Sequence, residues 1–204
     1  MTTLQDTGEA FALSADAQDL LFREARTANT FTDEPVSDEQ IQAIYDLVKW
    51  GPTSANQQPL RIVLIRSAEA RERLLQHMSS GNRDKTAAAP LVAILAEDLE
   101  FPQHFGKIFP HKPQIADAFA DEAVRDRSAR INASLQIAYF LLGIRAAGLA
   151  AGPMTGFNNG DLDRDFFPDG TLRSLVVVNI GKPGPDAWFD RLPRHDYGTV
   201  VSTV

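Results

Sequence analysis

Residues 49–56 of the chain are Lys-Trp-Gly-Pro-Thr-Ser-Ala-Asn, and they stand between a helical pattern and an apolar run. The helix is predicted to begin at Ser37, where Gln40 completes a capping box, and the Gly51-Pro52 pair ends it. The loop Trp50–Pro59 combines two prolines with five hydroxyl or amide side chains. Ordinary connections are shorter and less polar, so this segment is interpreted as a binding loop.

Apolar runs on both sides of this loop predict a sheet covered by helices. The runs Arg61–Arg66, Leu91–Glu97 and Ser174–Ile180 are typical of buried strands, and helical patterns separate them. This alternation indicates a central mixed sheet flanked by helices, within a single domain of residues 1–204.

Two short helical patterns lie on either side of the loop. One starts at Ser14, ends near Glu24 and is expected to turn Leu20 and Leu21 inward. The other begins at Ser67, a residue that commonly caps the start of a helix.

The longest helical pattern runs from Asp121 to about Ala147. Its apolar stripe consists of Val124, Ile131, Leu135, Ala138, Leu142 and Leu149. Small residues occupy its other faces, and a helix with several apolar or small faces is usually buried by more than one neighbour. Two interpretations stay open: a dimer interface covers the stripe, or the helix lies in the centre of the core.

The composition excludes several classes of protein. The chain has 204 residues with 20 Lys+Arg and 27 Asp+Glu, a net charge of −7, whereas a nucleic-acid surface needs a basic stripe. It has no cysteine, which excludes disulfides, thiolate metal sites and cysteine nucleophiles, and its four scattered histidines predict no metal site. Residues Met1–Ala10 lack a secretory pattern and no apolar run could span a bilayer, so we expect a soluble, cytoplasmic protein with no membrane partner.

A bound cofactor is the remaining source of chemistry, because the sequence offers no nucleophile or histidine cluster. No G-x-G-x-x-G or P-loop motif follows a predicted strand. Besides the binding loop, three segments could hold a cofactor: Arg26–Phe31, Gly148–Phe157 and Arg191–His195. They offer cations, side-chain donors and glycines that let a flat group approach closely. Each could also be an ordinary helix end, turn or solvated terminus, so residue chemistry alone leaves both interpretations open.

These segments, together with Glu24-Ala25-Arg26-Thr27 and Ser80-Gly81-Asn82, resemble the nitroreductase family. The resemblance extends over nearly the whole chain. It is nearest to the branch that contains malonic semialdehyde reductase and the NADH dehydrogenase/NAD(P)H nitroreductases. It implies an α+β, nitroreductase-like fold and an intertwined homodimer with a long interface helix. It also implies FMN bound between the two subunits.

The resemblance also implies which residues bind FMN. The phosphate and nearby ribityl oxygens would be held by Arg26, Thr27 and Arg194, and the ribityl chain and pyrimidine edge by Asn29, Asn82 and Lys85. Residues from the other subunit would be Pro52, Thr53, Ser54 and Asn56. The ring would be lined by Pro153, Met154, Thr155 and Gly156. No side chain is a catalytic residue in this scheme, because the backbone N–H groups of Thr155 and Gly156 support the chemistry near N5 and O4.

The implied activity is ping-pong hydride transfer from NADH or NADPH, through flavin N5, to a small acceptor such as malonic semialdehyde, a nitro compound or a quinone. A non-catalytic flavin-binding sensor or carrier stays open as the alternative. The chain departs from many family members at Asn29, where they carry a cation, and at Thr155, where several carry an acid. Lys112 is a candidate cation for a carboxylate-bearing acceptor, and Lys182 a candidate phosphate partner; both are also explained as solvated lysines.

Overall fold

A four-stranded sheet forms the centre of the fold in a computed structural model, which describes residues 11–204. Its strands are Leu60–Ile65 (β1), Leu91–Asp98 (β2), Ala150–Met154 (β3) and Leu172–Gly181 (β4), in spatial order β1-β2-β4-β3. All three strand pairs within the described residues are antiparallel, so the prediction of a mixed sheet is wrong for this part of the chain. A single helix, Asn159–Phe166, joins the antiparallel strands β3 and β4, so the alternation of strands and helices does not by itself set the strand direction.

Helices cover both faces of this sheet. They are Ala15–Gln18 (α1), Asp38–Val48 (α2), Ala68–His77 (α3), Ser80–Ala88 (α4), Phe105–Ile108 (α5), Glu122–Ala146 (α6), Asn159–Phe166 (α7) and Tyr197–Val200 (α8). The capping box of α2 is confirmed, since the Ser37 hydroxyl accepts from the Gln40 N–H and the Gln40 side chain accepts from the Ser37 N–H.

The first helix differs from its sequence pattern. Helix α1 is four residues long and continues as a π-helical turn over Asp19–Arg23. That turn is wider than an α-helix, so side chains no longer follow the spacing of 3.6 residues. Leu20 is 49% exposed in this chain, and the prediction that it faces inward is wrong.

The core lies on both sides of β2, whose eight residues are all buried. Alternate residues of this strand, such as Leu95, face the layer formed by α2 and α6, and the others, such as Ile94, face the layer of α3 and α7. Helix α2 approaches α6 closely at Gly143, where a Cβ atom would overlap Cγ1 of Val48. No helix within residues 11–204 is long and apolar enough to cross a membrane. Residues Met1–Ala10, for which no leader is predicted, lie outside the described residues.

Helix α6 has a buried face and an exposed apolar face. The face toward the core carries Ala129, Ala133, Ile137, Phe140 and Ile144. Of the stripe predicted from the sequence, Val124 is 49%, Ile131 51% and Leu135 46% exposed, whereas Leu149 is buried; Tyr139, which is not part of that stripe, is 40% exposed beside it. Of the two open interpretations, burial of this stripe in the chain's own core is therefore wrong.

The N-terminal half of α6 is tied to the sheet by ion pairs. Arg130 donates to Oε1 of Glu97 at 3.0 Å, and Arg173 of β4 donates to Asp126. Glu97 is fully buried and its Oε2 has no hydrogen-bond partner. Burial raises the pKa of the Glu97 carboxyl, although Arg130 opposes the shift.

Candidate functional site

Two segments far apart in sequence line one cavity of about 250 Å³, called here the arginine cavity. Its lining consists of Ala25, Arg26, Thr27, Asn29, Phe189, Asp190, Arg191, Leu192 and Arg194. The structure thus brings together the three residues to which the resemblance assigns the phosphate, Arg26, Thr27 and Arg194, and adds Asn29 beside them.

Strand β3 holds one wall of the arginine cavity in place. The Ala28 N–H donates to the carbonyl of Ala151 in β3 at 3.1 Å, and the Asn29 N–H donates to the carbonyl of Ala187 at 3.0 Å. The two backbones approach so closely that a Cβ atom on Gly152 would lie 2.6 Å from the Ala28 carbonyl oxygen. Glycine at this position is therefore what allows the segment of residues 26–29 to reach the strand.

The guanidinium groups of Arg26 and Arg194 have N–H donors available for an anion in the arginine cavity. Nε of Arg26 is buried without a hydrogen-bond partner, and its Nη2 lies 3.8 Å from the exposed carboxylate of Glu24. Arg194 donates to two carbonyls of its own segment, at 3.0 and 3.1 Å, and has no carboxylate partner within the described residues. A phosphate would provide the acceptors that these guanidinium groups lack, so the residues fit the phosphate end of FMN.

Arg191 also lines this cavity, and the sequence gives it no separate role. Its guanidinium donates to the carbonyl of Arg23, and also to that of Ala25 at 3.4 Å. It therefore fastens the C-terminal segment to the residues that precede Arg26. The only sequence signal for it is its position three residues before Arg194.

The backbone after β3 is held by the start of α4. The Gly156 carbonyl accepts three hydrogen bonds, from the Ser79 N–H at 3.0 Å, the Ser79 hydroxyl at 2.7 Å and the Asn82 amide at 3.0 Å. The Phe157 N–H donates to the Thr155 carbonyl at 3.0 Å. Within the described residues the Gly156 N–H has no hydrogen-bond partner. The predicted residues Asn82, Thr155 and Gly156 thus lie together, with one free backbone donor.

Asn179 and Met154 connect α4 to the sheet. The Asn179 amide donates to the Lys85 carbonyl at 3.1 Å, and the Thr86 hydroxyl contacts Sδ of Met154 at 3.7 Å. Oδ1 of Asn179 is buried without a partner. Sequence reasoning missed Asn179, although a lone amide inside the apolar run Ser174–Ile180 was a signal for it.

The binding loop lies apart from these groups. Pro52, Thr53 and Asn56 line a second cavity of about 310 Å³ with Tyr45, Lys49, Trp50, Gly51 and Gln58. Within residues 11–204, no hydrogen bond joins this loop to the arginine cavity or to the Gly156 backbone. Within the described residues, Pro52, Thr53 and Asn56 therefore line a different cavity from Arg26, Thr27 and Arg194.

The backbone of the binding loop is strained. Ala55, Asn56 and Gln58 have φ angles of 49°, 54° and 42°, which non-glycine residues rarely adopt. Such strain persists only where neighbouring contacts enforce it, and it is common at functional sites. One such contact is the hydrogen bond from the Asn56 amide to the Ile108 carbonyl, at 2.7 Å.

Three polar residues on one face of α6, called here the polar ladder, hold the rest of the loop: Ser128, Asn132 and Gln136. Oδ1 of Asn132 accepts from the Ser54 N–H at 2.7 Å, and Oε1 of Gln136 accepts from the Leu60 N–H at 3.0 Å. The Ser128 hydroxyl exchanges hydrogen bonds with the buried Gln57 amide at 3.1 and 3.2 Å. Their spacing of four residues was visible in the sequence, but their partners lie more than seventy residues away.

Lys182 does not line the arginine cavity. Its Nζ lies 2.7 Å from Oε1 of Glu34, and both side chains are half exposed. The structure therefore gives Lys182 a surface ion pair, which contributes little to stability.

Comparisons with known proteins show the family to which the chain is similar. The model of the Nitroreductase family matches residues 22–182. A protein of Streptomyces griseus named "Putative NADH dehydrogenase/NAD(P)H nitroreductase" is 62% identical over 196 residues, which cover 96% of this chain and 100% of that protein. A second protein of this name, from Streptomyces coelicolor, is 63% identical over the same shares of the two chains.

Solved structures show the same fold. A nitroreductase from Exiguobacterium sibiricum, crystallised in complex with FMN, superposes with a TM-score of 0.84 at 18% identity, covering 94% of this chain and 98% of that one. A nitroreductase from Bacillus subtilis superposes with a TM-score of 0.81 at 22% identity, covering 93% and 99%. The α+β fold expected from the resemblance is confirmed, and the chain belongs to the nitroreductase family.

Proposed function

We propose that this protein is an FMN-dependent NAD(P)H oxidoreductase. The arginine cavity carries the proposal, because Arg26, Thr27 and Arg194 converge there and Nε of Arg26 is buried without a partner. When bound there, FMN would supply the hydride-transfer chemistry between NAD(P)H and a second substrate. The FMN complex of the Exiguobacterium sibiricum nitroreductase supports this choice of cofactor.

The chain's own residues bind and orient the cofactor. In this proposal Arg26, Thr27 and Arg194 hold the phosphate, and Asn82 and Lys85 of α4 follow the ribityl chain and the pyrimidine edge together with Asn29, which lines the arginine cavity. The free Gly156 N–H provides a donor at the ring. Preorganised backbone donors of this kind stabilise developing charge without a side-chain acid or base. The ring is lined by Pro153, Met154, Thr155 and Gly156.

The active form in this proposal is a homodimer. The exposed face of α6 and the exposed side chains of Tyr45 and Trp50 form the surface that a second copy would cover. The binding loop, which lies apart from the arginine cavity in one chain, would then contact the flavin bound by the partner. Pro52, Thr53, Ser54 and Asn56 are the residues that would do so.

The acceptor in this proposal is malonic semialdehyde or a similar small anionic aldehyde. The segment between β2 and α6 carries Lys107, His111 and Lys112, which form no ion pair within the described residues. It meets the binding loop where Asn56 donates to the Ile108 carbonyl. Lys112→Ala should raise KM for malonic semialdehyde and leave KM for an uncharged quinone unchanged. If the wild type and Lys112→Ala had equal KM values for malonic semialdehyde, the result would contradict this acceptor.

The first test is the visible spectrum of the purified protein and the mass of the compound that acid releases from it. Yellow protein that releases about one FMN per chain supports the proposal, and protein that stays colourless after incubation with FMN contradicts it. Anaerobic bleaching by NADH or NADPH then separates an oxidoreductase from a flavin carrier. A carrier would hold FMN and show no bleaching with either nucleotide.

A further inference from the structure

Ser79 stands at the N-cap position of α4 but does not cap the helix. A serine in this position usually accepts a hydrogen bond from the backbone two or three residues later. Ser67 does so at α3, where its hydroxyl accepts from the Ala70 N–H at 3.1 Å. The Ser79 hydroxyl makes no such bond, although the Ser79 backbone has ordinary extended N-cap angles. A serine at an N-cap position whose hydroxyl makes no capping hydrogen bond is expected to have another role.

The Ser79 hydroxyl is committed to Gly156 instead. It donates to the Gly156 carbonyl at 2.7 Å and accepts from the Asn82 amide at 3.3 Å, and Asn82 donates to the same carbonyl. An isolated β-bridge between Met78 and Phe157 joins the two segments beside this cluster. The carbonyl therefore has three donors from a single helix start, all within the described chain.

These bonds fix both peptide groups that flank the Gly156 Cα atom. The Thr155–Gly156 peptide is held by the Phe157 N–H on its carbonyl, and the Gly156–Phe157 peptide by the three donors. Glycine is otherwise the residue with the greatest backbone freedom. A side chain could not replace these restraints, because a Cβ atom on Gly156 would lie 2.8 Å from the Ser79 hydroxyl oxygen.

We propose that Ser79 is a positioning residue that aims the Gly156 N–H at N5 of the bound flavin. The inference rests on the proposed function, since it concerns the same flavin site. Ser79 acts through Gly156 and touches neither the cofactor nor the substrate. Asn82 completes the network by donating to both Ser79 and Gly156.

The test compares Ser79→Ala with the matched variant Ser67→Ala. Ser79→Ala removes one of three donors to the Gly156 carbonyl but no capping bond, whereas Ser67→Ala removes a capping bond far from Gly156 in sequence. We expect Ser79→Ala to slow flavin reduction at saturating NAD(P)H by about three- to tenfold, the effect of one lost hydrogen bond. The Ser67→Ala protein should have a lower melting temperature, but NAD(P)H should reduce its flavin at the wild-type rate. Ser79→Thr keeps a hydroxyl and should restore the rate.

A second measurement needs no flavin. In the FMN-free protein, hydrogen exchange at the Phe157 N–H should accelerate in Ser79→Ala and not in Ser67→Ala, because only the first loosens the Gly156 peptide. Unchanged exchange together with unchanged flavin reduction in Ser79→Ala would overturn the role of Ser79. A wild-type protein that binds no FMN would instead overturn the proposed function, and the two failures are thereby distinguished.

Discussion

The backbone N–H of Ser54 donates to Oδ1 of Asn132 at 2.7 Å, and Asn132 in turn donates to the Ser128 carbonyl at 2.9 Å. A strained loop is thus fastened to α6 along a strip of the helix that adjoins its exposed apolar face. In the proposed dimer, α6 would join the subunit interface to the residues that reach the partner's flavin. The hydrogen bond between Ser54 and Asn132 therefore links the proposed dimer interface to the proposed flavin-binding loop.

Asn132→Ala should destabilise the protein by about 1–3 kcal/mol, because it leaves the Ser54 N–H without its acceptor inside a strained loop. The loss should appear in urea unfolding, together with weaker FMN binding. Ser134→Ala is the matched control on the same helix, since its exposed hydroxyl donates only to the Arg130 carbonyl. Equal stability of the two variants would show that Asn132 does not hold the loop.

Arg26→Ala should raise the Kd for FMN about ten- to hundredfold, because a charged hydrogen bond to phosphate is lost. Fluorescence quenching of FMN during titration measures it. Arg23→Ala is the control, since Arg23 pairs with Asp19 at 2.6 Å and its side chain does not line the arginine cavity. If both variants bind FMN as the wild type does, the cavity does not hold the phosphate.

Leu135→Lys should convert the proposed dimer into monomers, because it places a charge in the middle of the exposed face of α6. Light scattering coupled to gel filtration measures the mass, and the FMN content should fall with it. Gln76→Lys adds the same charge on the exposed side of α3 and should leave the mass unchanged. A Leu135→Lys protein with the wild-type mass would remove this face from the interface.

Glu97 should give the protein a distinct dependence of stability on pH. Burial raises the pKa of its carboxyl above the ordinary value of 4.5, so the folded chain binds that proton more tightly than the unfolded chain. The free energy of unfolding should therefore fall, relative to that of Glu97→Gln, as the pH rises from 4.5 through the raised pKa. Urea unfolding across this range measures it, with the exposed Glu72→Gln as a control that follows the wild type. A constant difference between wild type and Glu97→Gln would contradict the prediction.

Gly143→Ala should destabilise the protein by about 1–3 kcal/mol, because the new methyl group would overlap Val48 and lie 3.0 Å from Cγ2 of Ile44. Both neighbours are β-branched, and such side chains have few alternative χ1 angles in a helix, so the overlap is not easily relieved. Gly106→Ala makes the same chemical change where nothing lies within 4 Å, and should shift stability by less than about 1 kcal/mol. Thermal unfolding of Gly143→Ala and Gly106→Ala separates the effect of packing on stability from the effect of backbone entropy. Equal melting temperatures of the two variants would contradict the close contact at Gly143.

Local signals in the sequence predicted the parts of the fold that depend on neighbours in the chain. The capping box at Ser37 and the end of α2 at Val48, shortly before Gly51-Pro52, follow from residues in or next to one helix. Strand β3 was not predicted, because its sequence Ala-Ala-Gly-Pro-Met lacks the β-branched residues typical of strands. It forms a strand through its pairing with β4 alone, at an edge of the sheet where a proline is tolerated.

The residues of the candidate site also fall into those that the sequence predicted and those that only the structure shows. The resemblance named Arg26, Arg194, Asn82 and Gly156, and the structure places these residues in one arginine cavity and one backbone cluster. Ser79 and Asn132 escaped notice because their partners, Gly156 and Ser54, lie 77 and 78 residues away. A single serine or asparagine belongs to no sequence pattern that predicts its hydrogen-bond partner. Only the folded structure shows which groups its side chain contacts.

The polar ladder also limits how the chain can change in length. Each inserted or deleted residue in an α-helix rotates everything beyond it by about 100°. A deletion between Ser128 and Gln136 would therefore rotate the exposed apolar face out of its position and carry Gln136 away from Leu60 in a single event. Length variation should accumulate instead at exposed turns such as the one at Gly170, where nothing lies within 4 Å of an added Cβ atom.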